Sequence, residues 1–245
     1  MRIRAMIFGV LVAASLFSGH AAMAQYHYQV RHYNHKGRPF YQGPLHVTLG
    51  GGTAFYDGDL GRSPGNDFLG PAISLGVLYR LTAHLHLGSE FSYFKMGAHD
   101  KAPERGLAFT STNGMGTVFL RFDLLPDESI FAASTAEAPI FQVYVQGGAG
   151  LLLYDPQAYI GTARANSNTS FLAPERNDYP AMAGVAPVGL GFAVRLTDQL
   201  RANLEGNYYF TTTDQLDDIN VRLGGASLNN DGFATLMLKL DYSIK

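Results

Sequence analysis

Five ionisable residues carry most of the chemistry this sequence offers: Glu90, Arg121, Arg201, Glu205 and Lys239. Each lies in a segment where apolar and polar residues alternate, on the phase opposite the large apolar side chains. Charges withdrawn from water must be paired and hydrogen-bonded, so acids and bases at similar depth are expected to satisfy one another. Glu205 and Lys239 are the expected pair, on neighbouring segments and each about six residues from the same edge. Glu90 and Arg121 are likewise on neighbouring segments. Continuously wetted, the same residues would instead line a narrow ion or proton path.

A second group is acidic. Asp57 and Asp59 follow the first alternating segment, and Asp214, Asp217 and Asp218 follow the seventh. Such carboxylates can bind a divalent cation through oxygen or simply order loops. The reading adopted for Asp59, Asp217 and Asp218 is that they order adjacent loops through main-chain hydrogen bonds. His27, His32 and His35 are potential metal ligands, but their polar surroundings offer no further ligand set, and they read as a solvated tail. His99 is followed by Asp100, and Ser63, Ser111, Ser167 and Ser170 are scattered among turn residues. None of these forms a nucleophile–base–orienter set. No catalytic residue, metal site or cofactor is expected.

The segments that must position these residues number eight: 45–56, 72–81, 84–96, 112–124, 140–154, 184–196, 200–212 and 234–244. In the seventh, Leu200, Ala202, Leu204, Gly206, Tyr208 and Phe210 fall on one face. Arg201, Asn203, Glu205, Asn207, Tyr209 and Thr211 fall on the other. The last repeats the pattern, with Leu236, Leu238, Leu240, Tyr242 and Ile244 on the apolar face. A period of two is the β signal, though a soluble sandwich would show it too.

Export and connection lengths separate the two. Arg2 and Arg4 precede an apolar run from Met6 to Phe17, and Ala22-Met23-Ala24 reads as a cleavage site that leaves Gln25 first. Residues 1–24 are therefore expected to be a signal peptide, 25–43 a flexible periplasmic lead-in, and 44–245 a barrel. Cysteine is absent, which removes disulfides and thiolate metal sites. No later stretch approaches the roughly 20 apolar residues of a membrane helix. A net charge of −2 without a basic stripe excludes nucleic acid as a partner.

Thr82-Ala83 and Thr197-Asp198-Gln199 are tight turns, whereas 57–70, 97–111, 155–183 and 213–233 are long and polar. Short and long connections thus alternate as in outer-membrane barrels, except that 125–139 is long for a periplasmic turn. With the first strand running outward, Phe55, Tyr93, Tyr208 and Phe210 face lipid near the outer ends. Tyr79, Phe122, Phe141 and Tyr242 do so near the inner ends, giving two aromatic girdles. The expected fold is all-β: an eight-stranded antiparallel up-and-down transmembrane β-barrel in the cell outer membrane. Its interior should be just wide enough for side chains to fill.

Several runs match a known pattern. Phe55-Tyr56-Asp57-Gly58-Asp59-Leu60 resembles a Tyr-x-Gly-Asp-Leu motif, and Pro187-Val188-Gly189-Leu190-Gly191 a Pro-Val-Gly-Leu-Gly strand. Thr211 to Asp218 is similar to a Thr-x-Asp-Tyr-Leu-Asp-Asp run, with Gln215 where Tyr is usual. Together, over about 45–245, the chain resembles the small outer-membrane barrels typified by that of type IX secretion systems. The resemblance implies a barrel with ordered outer loops and no enzyme activity. The expected role is therefore structural or accessory, including docking of a periplasmic secretion complex through the lead-in or 125–139. A narrow channel for ions or small solutes is the alternative, and a surface enzyme a third. Expected partners are outer-membrane lipid and lipopolysaccharide, the barrel-assembly machinery during insertion, and periplasmic secretion-complex proteins.

Overall fold

In the computed structural model, residues 45–58, 67–100, 106–127, 139–174, 176–197, 199–219 and 230–244 are described. The expected signal peptide and lead-in, Asp59 and most of 125–139 lie outside these. The eight strands are β1 (Leu45–Asp57), β2 (Gly70–Arg80), β3 (Leu85–His99), β4 (Leu107–Asp123), β5 (Phe141–Ile160), β6 (Ala181–Arg195), β7 (Leu200–Thr211) and β8 (Gly232–Ile244). Each pairs antiparallel with its sequence neighbours, and β8 returns to β1 from Leu45↔Ile244 to Asp57↔Gly232, closing the barrel. There is no free sheet edge to aggregate or to leave backbone groups unpaired in lipid. The described residues contain no helix.

Pleating sends alternate side chains to opposite faces, and β2 alternates between buried and exposed without a break. One outward residue from each strand in order, Leu49, Ile73, Phe91, Val118, Leu151, Val188, Leu204 and Leu238, makes an exposed apolar belt around the barrel. An apolar surface continuous around a protein is far beyond the patches soluble monomers tolerate and suits hydrocarbon. Phe210 stands exposed near one end of its strand and Tyr79, Phe122, Phe141 and Tyr242 near the other, while Tyr93, also exposed, lies mid-strand in β3.

The two tight turns use one device. The Thr82 hydroxyl accepts from the Leu85 amide at 3.0 Å, and the Thr197 hydroxyl from the Leu200 amide at 3.0 Å. In each, a short polar side chain replaces a missing backbone partner. Within β6, pairing to β5 runs from Gly147↔Val188 to Gly150↔Val185 and is interrupted at Pro187, which has no N–H to give.

Strand lengths differ from the sequence reading on one side. Residues 97–99, 107–111, 155–160 and 181–183 belong to strands, not loops. The polarity of Thr110, Asp155 and Gln157 marks where the exposed apolar belt ends, but an antiparallel ladder persists equally well with polar side chains. His99 is accordingly the last residue of β3 and Asp100 is buried behind it.

Candidate functional site in the barrel lumen

The inward phase fills the barrel with two materials. Toward the end bearing the tight turns, the filling is ionic. Lys239 extends from β8 between two carboxylates, its Nζ 2.6 Å from Glu205 on β7 and 2.5 Å from Glu90 on β3. The expected Glu205–Lys239 pair is thus in contact, and Glu90 joins it from across the lumen. Glu205 also accepts from the Tyr144 hydroxyl at 2.8 Å and from Asn207 Nδ2 at 2.7 Å. Glu90 and Arg121 do not meet, because the β3–β4 register sets Glu90 opposite Thr117 and Arg121 opposite His86.

Arg121 serves a second cluster. Its Nε donates to Asp123 at 2.8 Å, its Nη1 lies 3.5 Å from Asp241, and its guanidinium sits 3.5 Å from the Tyr144 ring centroid. That ring can lie flat against the wall only because residue 191 has no side chain: a Cβ there would overlap it. Tyr144 thereby couples the Arg121 and Glu205 clusters through its face and its hydroxyl.

Arg201 takes part in a third cluster. Both Arg201 and Arg80, from β7 and β2, grip Asp127, at 2.7 and 2.9 Å. Asp127 belongs to the connection after β4, and its own amide donates to the Ala83 carbonyl at 3.0 Å. The unusually long connection therefore begins by turning back under the barrel and inserting a fully buried carboxylate. Sequence phase does contain Asp123 and Tyr144, which share the faces of Arg121 and Gln142. Asp127 has no such signal beyond the unusual length of its loop.

The other half of the lumen is mainly aromatic and aliphatic, with the neutral polar side chains of Ser111, Asn113, Thr211 and Thr235 buried among them. Phe94 stacks on Phe233 at 5.0 Å, Phe233 on Tyr209 at 4.5 Å, and Tyr56 meets Phe109 edge-on at 4.7 Å. Met96, Met115, Leu152 and Val185 complete this cluster. Leu216 and Ile219, from the segment after β7, are buried in it and cap the mouth.

Loop acids hold that cap. The Tyr56 hydroxyl lies 2.8 Å from Asp217 and 2.9 Å from Asp231. Asp217 also accepts from the Ile219 amide at 2.9 Å, and Asp231 from the Leu216 amide at 2.9 Å. Asp218, whose φ of 58° is one that Asp tolerates better than most residues, accepts from the Tyr179 hydroxyl at 2.8 Å. Burial and that carboxylate raise the Tyr179 hydroxyl above its ordinary range. Asp67, in the connection after β1, is raised to about 6 by burial and by the charge of Asp57. Among the described residues no group of three or more His, Asp or Glu is arranged to hold a metal.

No family model and no curated protein matches this chain. Among solved structures it is similar to Neisserial surface protein A, with a TM-score of 0.43 and 15% identity over 82% of this chain and 97% of that one. Ail, the attachment invasion locus protein of Yersinia pestis, gives 0.46 and 11% over 83% and 99%. The outer membrane protein OprG from Pseudomonas aeruginosa gives 0.43 and 10% over 83% and 98%. Identities this low concern fold alone, and barrel closure here rests on the strand pairing itself.

Proposed function

We propose that this chain is a non-enzymatic outer-membrane barrel of structural or accessory role, closed to solutes, which acts through its rims. The observation that carries this reading is the two-material lumen. Buried polar atoms without a hydrogen-bond partner among the described residues occur in the ionic half, among them His46 Nε2 and Gln142 Oε1, and also in the other half, at Asn113 Nδ2 and Thr235 Oγ1. Waters there would satisfy them. The Phe94–Phe233–Tyr209 stack and the buried Leu216 and Ile219 stand between these waters and the mouth, so a wetted path is interrupted there. This weighs against the channel reading.

Single-channel recording of the purified protein in planar bilayers tests it: the expected trace is flat, and discrete conductance steps would overturn closure. Docking of a periplasmic secretion complex draws on the motif resemblance and on the anchored connection after β4. A photo-crosslinker at Ile140, exposed beside that connection, is expected to capture a periplasmic protein in cells. Failure to capture one removes docking while leaving the closed barrel standing.

A further inference from the structure

Beyond the membrane belt, β5 carries a feature that neither lumen nor caps employ. The chain leaves β5, forms a loop and returns, the Phe171 backbone bridging to Tyr159 and the Leu172 amide donating to the Ala158 carbonyl at 2.8 Å. Between the arms lies an open cleft of about 540 Å³, within the range of roughly 300–1,000 Å³ typical of small-molecule sites. The loop is braced from within. Asn166 Oδ1 accepts from the Asn168 amide at 2.9 Å, Thr169 Oγ1 accepts from the Asn166 amide at 2.9 Å, and the Tyr159 hydroxyl donates to Ala163 O at 2.9 Å. The cleft is therefore shaped before any ligand arrives.

The lining has a definite chemistry. Phe171, edge-on to Tyr159 at 5.9 Å, remains half exposed and presents a ring, and Ile160 lies exposed at the lip. Thr162, Asn168 and Ser170 line the cleft with side chains that make no hydrogen bond among the described residues. Arg164 adds one cation, steadied by its Nη2 donating to Leu69 O at 2.7 Å. Among the described residues no acidic side chain lines it. An aromatic ring beside uncommitted hydroxyl and amide groups suits a ligand with one C–H face and many hydroxyls, and the guanidinium admits a negative substituent.

Height narrows the source. Leu151 and Leu153 are exposed apolar residues on the outer face of β5, followed on that face by Asp155 and Gln157. Tyr159 is six residues beyond Leu153, about 20 Å along a strand and about 15 Å above the belt once tilt is counted. In an outer membrane that height is occupied by the sugars of the outer leaflet. We infer that the cleft bounded by Tyr159 and Phe171 is a saccharide-binding site, for a short neutral or singly acidic oligosaccharide. The inference rests on the outer-membrane reading for its sugar source, whereas its chemistry comes from the cleft alone.

The test uses the mature protein, folded in detergent, with two probes in saturation-transfer NMR and calorimetry. One is the core oligosaccharide released by mild acid from lipopolysaccharide of the producing cell; the other is lactose. Saturation transfer to either is expected, weakened at least tenfold by Asn168→Ala with Ser170→Ala and by Phe171→Ala, and kept by Phe171→Tyr. Core oligosaccharide alone binding identifies the membrane's own sugars as the source; lactose binding equally identifies free glycans. No transfer to either probe, or transfer undiminished in the variants, overturns the site. A heat-modifiable gel shift, run on every variant, reports the barrel separately, so failure of the fold reading is distinguishable from failure of the cleft.

Discussion

The two halves of the lumen solve the same problem by different means. Both must fill a tube whose outer wall is an exposed apolar belt. The half around Phe94, Phe109, Tyr209 and Phe233 does so with ring stacking that has no required partner. The half around Lys239, Arg121 and Asp127 uses charges, each of which depends on a named counterpart from another strand or loop. Dispersion contacts are many and individually small, so the aromatic half should degrade gradually. A buried ion deprived of its partner is left uncompensated, so the ionic half should fail abruptly.

The contrast is broken most severely at Lys239. Lys239→Met leaves Glu90 and Glu205 facing each other without a cation and should cost about 3–5 kcal/mol, read as a lower denaturant midpoint in lipid vesicles. Adding Glu90→Gln and Glu205→Gln to that variant should recover most of the loss; no recovery would mean that Lys239 acts through packing. In the aromatic half, Phe233→Ala removes a ring from the middle of the stack and should cost about 3 kcal/mol. There, Phe233→Leu should recover much of it, since shape and not charge is at stake. A full loss with Leu would erase the distinction between the halves.

A smaller effect belongs to the cap. Tyr56→Phe keeps the ring against Phe109 but removes the donor shared by Asp217 and Asp231. About 2 kcal/mol is expected for a hydrogen bond to a charged group, visible as faster hydrogen exchange at the Leu216 and Ile219 amides with the ionic half unaffected. The smallest effect is a pH dependence at Asp67. Its folded carboxyl holds its proton up to about pH 6, while the unfolded one releases it near pH 4. The native state thus binds more protons between these values, so the contribution to stability falls as pH rises from about 4 to 6 and is level above. Exchange at the Phe68 amide, bonded to Gly97 O, should be slower at pH 5 than at pH 7 after correction for intrinsic rates. Asp67→Asn should flatten that difference; a profile unchanged by the substitution would assign it to another group.

Much of this architecture was legible in the chain, and the exceptions share a cause. Alternation placed Glu205, Lys239, Arg121 and Glu90 inside and Leu236, Leu238, Leu240, Tyr242 and Ile244 outside, because side-chain phase is a property of the pleat and needs no knowledge of neighbours. The outer strand extensions were missed because Thr110, Asp155 and Gln157 look like loop residues, although a polar strand beyond the apolar belt keeps the same ladder. The aromatic half of the lumen was missed for a related reason: at Phe55-Tyr56 and Tyr93-Phe94 large residues occupy both phases, and composition does not tell inside from outside there.

The sequence by itself determined eight strands, the face each side chain takes, and that β1 begins and β8 ends on the same side of the barrel. All of these follow from period and parity along the chain. Tertiary structure alone decided that Lys239 reaches Glu90 across the lumen, that Arg121 settles on Asp123 and Asp241, and that Asp127 folds back between Arg80 and Arg201. Those contacts depend on strand tilt, register and closure, which bring together residues up to 149 positions apart. No local pattern encodes which of several inward charges will stand at the same height.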